Sequence, residues 1–370
     1  MGSPIRPDEI RLGPHVVDVE RRRGRGACSN QTGRFEPDVR ESFDDGWESL
    51  GLLEAFHTEV FEDTAKSIIS RNDSPDVSFD ASINPYRGCE HGCIYCYARP
   101  SHCFLGHSAG LDFETKLYAK SDAAALLERE FSKASYLPEM IALGGNTDPY
   151  QPIERERRIT RSVLEVMART SHPVGIITKS ALVARDIDIL QPMAEKRLAK
   201  VAVSITTLDR NVARAMEPRA ATPHRRLETV RRLAEAGIPV TVMVAPIIPG
   251  LTDHEIEPIL EAGRDAGASN AGYVLLRLPL EIKDLFREWL HEAFPGRADR
   301  VISLLRSMHG GRDYVSEFGL RQRGTGPYAS QIAMRFRLAK KRLGLDEKHV
   351  PLRTDLFERP SAGGQQLRLL

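Results

Sequence analysis

Short apolar runs alternate with helical periodicity along the middle of the chain. Runs rich in Val, Ile and Leu predict buried strands at 77–83, 140–143, 174–178, 201–205, 239–244 and 273–276. Apolar positions three and four residues apart predict helices at 121–131, 159–169, 183–199, 223–236, 253–266 and 283–290. Repetition of this βα unit implies a parallel sheet with right-handed crossovers. Six strands are too few for a closed eight-stranded barrel, so an α/β protein with a curved, partly open barrel or a doubly wound sheet is expected.

The two ends of the chain differ from the middle in charge and in periodicity. Residues 1–75 hold 10 basic and 15 acidic side chains, whereas residues 297–370 hold 15 basic and 7 acidic ones. The first ~35 residues carry a run of arginines and no sustained apolar period, which predicts disorder. We therefore expect an N-terminal extension at 1–75, a core at 76–290 and a basic, mainly helical extension at 291–370.

Composition excludes several classes of protein. An apolar share of 41% over 370 residues suffices for a large core, and 52 basic against 51 acidic side chains give a net charge of +1. That balance excludes a uniformly basic nucleic-acid coat and a strongly acidic disordered chain. No apolar stretch approaches the ~18 residues of a membrane span, and five cysteines do not make a disulfide scaffold. A cytoplasmic protein with reduced thiols and no membrane association is expected.

The strongest chemical signal is a group of three cysteines after the first predicted strand. Cys89, Cys93 and Cys96 have the spacing Cys-x3-Cys-x2-Cys, on a loop that belongs to the catalytic edge of a parallel sheet. Gly88 and Gly92 permit tight turns that bend three thiolates towards one cluster face. Three ligands on a four-iron cluster leave one iron without a protein donor. The pattern therefore favours an iron–sulfur cluster that can bind a further molecule.

Zinc is the principal alternative for these cysteines. Cys103, His91, His102 and His107 are near in sequence and are ordinary zinc ligands. Zinc sites of this kind usually contain two Cys-x2-Cys pairs, however, and only one x2 spacing occurs here. Buried structural thiols are a third interpretation, which three cysteines within eight polar, glycine-flanked residues do not favour.

The cysteine motif, with Tyr95 before its last cysteine, resembles the cluster motif of the radical SAM superfamily. The wider string at 84–100 is similar to a subgroup of largely uncharacterised proteins akin to spore photoproduct lyase. The resemblance implies a partial (β/α)6 TIM-like barrel with N- and C-terminal extensions. It also implies a [4Fe-4S] cluster held by Cys89, Cys93 and Cys96, whose open iron binds S-adenosylmethionine (SAM). Reductive cleavage of SAM would give a 5′-deoxyadenosyl radical that takes hydrogen from an unknown substrate, with a flavodoxin- or ferredoxin-like electron donor.

A glycine turn after the second predicted strand is similar to the turn that receives the SAM amine in this superfamily. Gly144 and Gly145 allow close approach of the backbone to a ligand, and Thr147 follows in a polar run. Asn146 stands where the superfamily usually has an acid, so Asp148 is a candidate substitute anion. An ordinary strand-to-loop turn is the alternative.

Other strand ends supply further candidates for the SAM site and for the chemistry. Lys179 resembles a residue that pairs with the SAM carboxylate, Ser204 one that bonds the ribose, and Ile248 part of the apolar segment behind the adenine. Tyr95 is expected beside the cofactor. A surface lysine, a satisfied core hydroxyl and plain core packing are the respective alternatives. The candidate catalytic residues are Tyr97 and Tyr150, which are conceivable hydrogen donors.

The C-terminal extension is basic and carries a predicted helix at 328–343. Its charge suits RNA, DNA or a phosphate-bearing substrate, whereas a solvated helix face is the simpler interpretation. Two other functions stay open at this point. The first is a zinc-stabilised nucleic-acid-binding module, and the second is a non-catalytic iron–sulfur electron carrier.

Overall fold

The computed structural model describes residues 17–36, 54–346 and 351–360, which contain ten strands in two sheets. In chain order the strands are β1 Glu59–Glu62, β2 Ile69–Arg71, β3 Ala81–Ile83, β4 Tyr86–Arg87, β5 Lys116–Ala119, β6 Ile141–Leu143, β7 Val174–Thr178, β8 Ala199–Ser204, β9 Val240–Ile247 and β10 Asn270–Leu275. A small sheet has the order β1-β5-β4 and the large sheet the order β10-β9-β8-β7-β6-β3-β2.

The order of the large sheet selects between the two predicted architectures. From β3 to β10 its strands lie side by side in chain order, each parallel to the next, and β2 pairs antiparallel with β3 at the edge. A doubly wound sheet reverses its strand order at a switch point, whereas a (β/α) barrel keeps the chain order. The fold is therefore a partial (β/α)6 barrel, as the resemblance implied, and the doubly wound sheet is excluded.

Helices follow the barrel strands and cover one face of the sheet. The helices of the described residues are α1 Asp112–Thr115, α2 Ala123–Phe131, α3 Glu154–Arg157, α4 Ile159–Arg169, α5 Ile187–Glu195, α6 Arg210–Met216, α7 Pro223–Glu235, α8 Ile256–Asp265, α9 Ile282–Ala293, α10 Pro295–Ser307 and α11 Gly326–Arg342. Short 3-10 helices occupy Arg99–Leu105, Ala181–Asp186 and Asp253–Glu255. In the C-terminal extension, α10 packs on α9, and α11 packs on α8.

The two faces of the large sheet differ in burial. Val242 in β9 is fully buried, while its neighbours Thr241 and Met243 are half-buried. Val242 faces α8, where a Cβ on Gly263 would come within 2.8 Å of its Cγ2. Alternate residues of a strand point to opposite faces. The helices thus cover the outer face, and the inner face remains accessible to a substrate.

Residues 17–36, here called the N-terminal segment, pack against the barrel. Ala27 and Cys28 are at most 1% exposed, and Arg25 Nη1 donates to the Glu114 carbonyl at 3.0 Å. The structure here differs from the predicted disorder of the first ~35 residues. Contacts with distant parts of the chain order the segment, and such contacts leave no periodic pattern in the sequence. Residues 1–16 lie outside the described residues.

Other differences concern short elements. The small sheet and β2 consist of strands of two to four residues, too short for the alternation that predicts a strand. The helix predicted at 183–199 is a 3-10 turn followed by α5, which ends at Glu195. Arg197 has a φ of 58° and turns the chain into β8. The predicted domain boundaries stay predictions.

Candidate functional site

The cysteine loop, residues 88–98, lies at the carboxyl end of the barrel, just beyond β3 and β4. Gly88 has a φ of +75°, and a Cβ there would come within 2.9 Å of the Phe113 carbonyl oxygen. That carbonyl accepts a hydrogen bond from the Cys89 N–H at 3.0 Å. Only glycine fits this position without displacing the backbone that holds Cys89. The loop position at the strand ends is the one that the sequence predicts.

The structure brings the three cysteines into one small region. Cys89 and Cys93 are 7% and 8% exposed, and Cys96 is half-buried. Burial raises the pKa of the Cys89 and Cys93 thiols, and Cys96 raises both further. Two backbone turns, from the Gly92 N–H to the Cys89 carbonyl at 3.4 Å and from the Cys96 N–H to the Cys93 carbonyl at 3.2 Å, bring the three cysteines together. Among the residues described, no three His, Cys, Asp or Glu side chains converge on a single metal ion. A [4Fe-4S] cluster requires no such convergence, because each thiolate binds a different iron, and three thiols are a donor set that fits it.

Two side chains after β6 hold the beginning of the cysteine loop. Gln151 is fully buried; its Nε2 donates to the Gly88 carbonyl at 3.3 Å and its Oε1 accepts the Glu90 N–H at 2.9 Å. The Thr147 hydroxyl donates to the same Gly88 carbonyl at 2.7 Å. The peptide groups on both sides of Cys89 are therefore fixed. Gln151 belongs to the polar run after β6, whose position suits a substrate or cofactor wall, but no sequence pattern indicates that it supports the loop.

A buried ion pair holds the middle of the loop from the other side. Arg99 is fully buried and donates to the carbonyls of Cys93 at 2.9 Å and Gly92 at 3.2 Å. Its Nη2 lies 2.5 Å from Glu114 Oε1. The two Glu114 oxygens also accept backbone N–H groups of the N-terminal segment, both at 2.8 Å. The loop, the ion pair and the N-terminal segment thus form one hydrogen-bonded unit.

The predicted SAM turn lies directly after β6 and beside the cysteine loop. Gly144 has a φ of +101°, and a Cβ there would come within 2.2 Å of a backbone carbonyl of β7. Gly145 is half-buried, and its carbonyl accepts the Tyr97 hydroxyl. Asn146 is exposed, while Thr147 is buried against the loop. Predicted site residues from two separate segments of the chain are therefore neighbours.

Asp148 does not fit its predicted role as the substitute acid. Its oxygens accept the Thr178 hydroxyl at 2.7 Å, the Lys179 N–H at 2.8 Å and the Tyr150 N–H at 2.9 Å, and His91 Nδ1 lies at 3.4 Å. Burial opposes the charge, but His91 and these hydrogen bonds lower the pKa of Asp148 to about 2. Its lone pairs are taken by protein donors, so Asp148 ties β6 to β7.

Lys179 stands at the carboxyl end of β7 and faces the cysteines. Its Nζ lies 5.7 Å from the centroid of the Tyr95 ring. Its charge lowers the pKa of Cys93 against the larger, opposite effects of burial and Glu217. Within the described part of the chain, no carboxylate pairs with this ammonium group. A cation that no carboxylate of the described chain neutralises can bind an anionic ligand at this place.

Tyr95 connects the cysteine loop to a buried charged network. Its hydroxyl donates to Glu217, which also accepts the Thr206 hydroxyl at 2.8 Å and pairs with Arg226. Arg226 in turn donates to the Ser204 carbonyl at 3.0 Å. Glu217 is 3% exposed, although a charged side chain is seldom buried without a partner. The network braces the β8 end of the site, where Ser204 is 3% exposed.

The remaining predicted residues fall into two environments. Ile248 is fully buried, and its N–H donates to the Thr252 hydroxyl at 3.0 Å. Tyr150 is also fully buried, and its hydroxyl has no hydrogen-bond partner among the described residues. Tyr97 is 46% exposed beside Cys96. Of the two predicted hydrogen donors, Tyr97 is the one that a molecule in the barrel can reach.

The basic helix of the C-terminal extension is partly neutralised by the protein itself. Arg335 lies 2.5 Å from Glu257, and Arg342 lies 2.6 Å from Glu261, both carboxylates being on α8. Lys340 Nζ donates to the Ala271 carbonyl at 2.7 Å. These cations hold α11 on the barrel, which weakens the case for a nucleic-acid surface there.

A partial barrel with a cysteine loop at its carboxyl end defines the general class of this protein, and comparisons with known proteins specify it. The sequence profile of the Radical SAM superfamily matches residues 83–263. An uncharacterized protein of Mycobacterium tuberculosis is 33% identical over 270 residues, which cover 70% of this chain and 79% of the relative. A Radical SAM Nalpha-GlyT isomerase of Pseudomonas phage M6 is 24% identical over 173 residues, covering 46% of this chain and 34% of the relative. The chain belongs to the radical SAM superfamily.

A solved structure supports the fold. A spore photoproduct lyase variant with bound AdoMet and dinucleoside spore photoproduct has a TM-score of 0.54 and 16% identity, covering 77% of this chain and 79% of that one. The family decides between the predicted classes: the protein is a radical SAM enzyme, in a superfamily that typically uses a [4Fe-4S] cluster, SAM and an external reductant. No helix in the described ranges is long and apolar enough to span a membrane.

Proposed function

We propose that Cys89, Cys93 and Cys96 hold a [4Fe-4S] cluster whose open iron binds SAM, and that the enzyme abstracts hydrogen from a substrate in the barrel. The observation that carries this proposal is the juxtaposition of three thiols, two buried and one half-buried, on one braced loop at the strand ends. Cluster and SAM together supply one-electron cleavage of the sulfonium, which yields methionine and a 5′-deoxyadenosyl radical.

The residues around the loop suit the recognition of SAM. The turn formed by Gly144, Gly145, Asn146 and Thr147 offers backbone polar groups beside the cysteines, suited to the methionine amine. Lys179, without a carboxylate partner in the described chain, suits the methionine carboxylate. Ser204 and Ile248 lie in or after β8 and β9, where the ribose and adenine would rest, and Tyr95 would border the cofactor.

The protein also limits access of water to the reactive region. Tyr95 and the network of Glu217, Thr206 and Arg226 fill the space behind the loop, and each of these residues is at most 6% exposed. Low exposure protects a reactive intermediate from side reactions. An external flavodoxin- or ferredoxin-like donor is proposed to supply the electron, since the chain has no further cysteine group of this spacing.

The test is to purify the full-length protein anaerobically and to add dithionite and SAM. We expect brown protein with about four irons per chain, charge-transfer absorption, and formation of 5′-deoxyadenosine. Cys93→Ala should abolish absorption and product, because it removes one of the three thiolates.

Cys103→Ala is the matched control. Cys103 is a fully buried cysteine seven residues after the motif, and its variant should retain iron and product. Formation of 5′-deoxyadenosine by Cys93→Ala at the rate of the unmodified protein would refute the cluster assignment.

A further inference from the structure

Arg277 is a cation at the barrel mouth that the protein leaves without an anionic partner. It follows β10 at the carboxyl end of the sheet, the same end that carries the cysteine loop, and it is half-buried. Its Nε is buried without a hydrogen-bond partner among the described residues, and no carboxylate there forms an ion pair with it. Its two Nη groups are not among the buried unpartnered atoms, so they remain open to a ligand.

A nearby arginine shows that the fold can provide a guanidinium with anionic and hydroxyl partners when its role is structural. Arg321 donates to Asp76 and to the Ser74 hydroxyl. Asp76 also accepts the Gly319 N–H at 2.6 Å. Arg277 lowers the pKa of Asp76 only as the weakest of several influences. The carboxylate within electrostatic range of Arg277 is therefore already engaged by other donors.

The position of Arg277 is set by an aromatic ring of the cysteine loop. The guanidinium carbon lies 5.0 Å from the centroid of Tyr97, the residue after Cys96. The Tyr97 hydroxyl is anchored on the Gly145 carbonyl. Contact with a ring orients a guanidinium while its N–H groups remain able to bind a carboxylate or phosphate through two hydrogen bonds.

Two cations therefore flank Cys96 at the mouth of the barrel. Lys179 lies over Tyr95, and Arg277 lies over Tyr97. If Lys179 binds the SAM carboxylate, as the proposed function has it, SAM offers no second carboxylate for Arg277. The Nη groups of Arg277 then remain for the molecule on which the radical acts.

We propose that Arg277, oriented by Tyr97, binds an oxyanion of the substrate, a carboxylate or a phosphate, next to the cluster. This inference rests on the proposed function for the position of SAM. It makes the substrate an anionic molecule and assigns its anchoring group to the β10 side of the barrel mouth.

The experiment measures anion binding to the full-length protein by calorimetry, with inorganic phosphate and acetate as separate probes. We expect saturable binding of one of the two, which tells the phosphate from the carboxylate. Arg277→Gln should weaken that binding at least tenfold, while its affinity for SAM remains within twofold of the unmodified protein. Arg323→Gln is the matched control, since Arg323 also lies over a tyrosine, Tyr273, at 4.2 Å, where the ring packs against α11.

Three results would overturn the proposal. The first is that neither probe binds, and the second is that the probes bind Arg277→Gln as tightly as the unmodified protein. The third is that Arg277→Gln weakens SAM binding tenfold, which would place Arg277 in the SAM site. Loss of 5′-deoxyadenosine in Cys93→Ala tests the proposed function separately. A failure of the proposed function can therefore be distinguished from a failure of the inference about Arg277.

Discussion

At the scale of single residues, the site depends on side chains that never touch the chemistry. Gln151 uses both ends of its amide, donating to the Gly88 carbonyl and accepting the Glu90 N–H. A carboxylate in its place lacks the donor, and an alanine leaves the Glu90 N–H unpaired and the Gly88 carbonyl with the Thr147 hydroxyl alone. Each buried group left without a partner costs about 1–3 kcal/mol. Cys89 is thus positioned by a residue that is not a ligand.

Replacement of Gln151 by Ala should lower the iron bound per chain and reduce the free energy of unfolding by about 1–3 kcal/mol. The cause is that the Glu90 N–H loses its acceptor, while the Gly88 carbonyl keeps only the Thr147 hydroxyl. Anaerobic reconstitution followed by iron quantification, together with urea denaturation, measures both effects. Gln191→Ala, at an exposed glutamine of α5, should alter neither. Full iron occupancy in Gln151→Ala would show that the amide does not position the loop.

At the scale of elements, the N-terminal segment behaves as a support for the cysteine loop. It meets the loop at Gly26, where an added Cβ would come within 1.8 Å of the Gly92 carbonyl oxygen. Glu114 joins the two by accepting two N–H groups of the segment while pairing with Arg99. Both members of the pair are fully buried, and removal of one partner leaves an uncompensated charge.

Glu114→Ala should therefore detach the N-terminal segment and destabilise the loop. We expect a loss of about 3–5 kcal/mol in the free energy of unfolding. Limited proteolysis should cut within residues 17–36 earlier than in the unmodified protein, and iron content should fall.

The comparison for that experiment is Glu261→Ala, which breaks the more exposed pair with Arg342. Exposed pairs contribute about 0–1 kcal/mol, so that variant should retain its segment, its stability and its iron. An unchanged cleavage pattern in Glu114→Ala would show that Glu114 does not hold the N-terminal segment on the cysteine loop.

At the scale of the whole molecule, an aromatic cluster ties the far end of the chain to the barrel. The His172 ring stacks on Phe131 with 4.4 Å between ring centroids and contacts Phe357 edge-on. Its Nε2 is hydrogen-bonded to the Tyr136 hydroxyl at 2.7 Å. Burial lowers the pKa of His172 from 6.5 to about 4. Phe357 belongs to residues 351–360, so this cluster joins them to α2 and to the start of β7.

The pKa of His172 predicts acid sensitivity of the fold. His172 binds a proton near pH 6.5 in the unfolded chain and only near pH 4 in the folded protein. The contribution of neutral His172 to the free energy of unfolding is therefore intact above pH 6.5 and is lost as the pH falls towards 4. That loss amounts to at most about 3 kcal/mol. His172→Gln, which cannot titrate, should show a correspondingly shallower decline of the unfolding free energy between pH 6.5 and 4 in urea titrations.

His254→Gln serves as the reference, because His254 is exposed on the 3-10 turn before α8. Its pH profile should follow that of the unmodified protein. A decline in His172→Gln as steep as in the reference would mean that other groups cause the acid sensitivity.

The local elements and the cysteine motif could be predicted from the order of residues along the chain. Apolar runs predicted the six barrel strands to within a few residues, since burial on a parallel sheet leaves a continuous apolar stretch. The three cysteines were evident because the ligands lie within eight residues of one another. The strand-end rule placed Lys179 at the site, and applied to 273–276 it would also have identified Arg277.

Contacts between groups far apart in the chain became evident only in the folded molecule. Strand order excluded the doubly wound sheet, and hydrogen bonds across the fold revealed Gln151, Arg99 and Glu114 as supports of the cysteine loop. It also showed that Asp148 is saturated by protein donors and that Arg277 is not. The spacing of apolar residues reflects which face of each element is buried. Contacts between residues far apart in the chain depend instead on how the elements pack against one another.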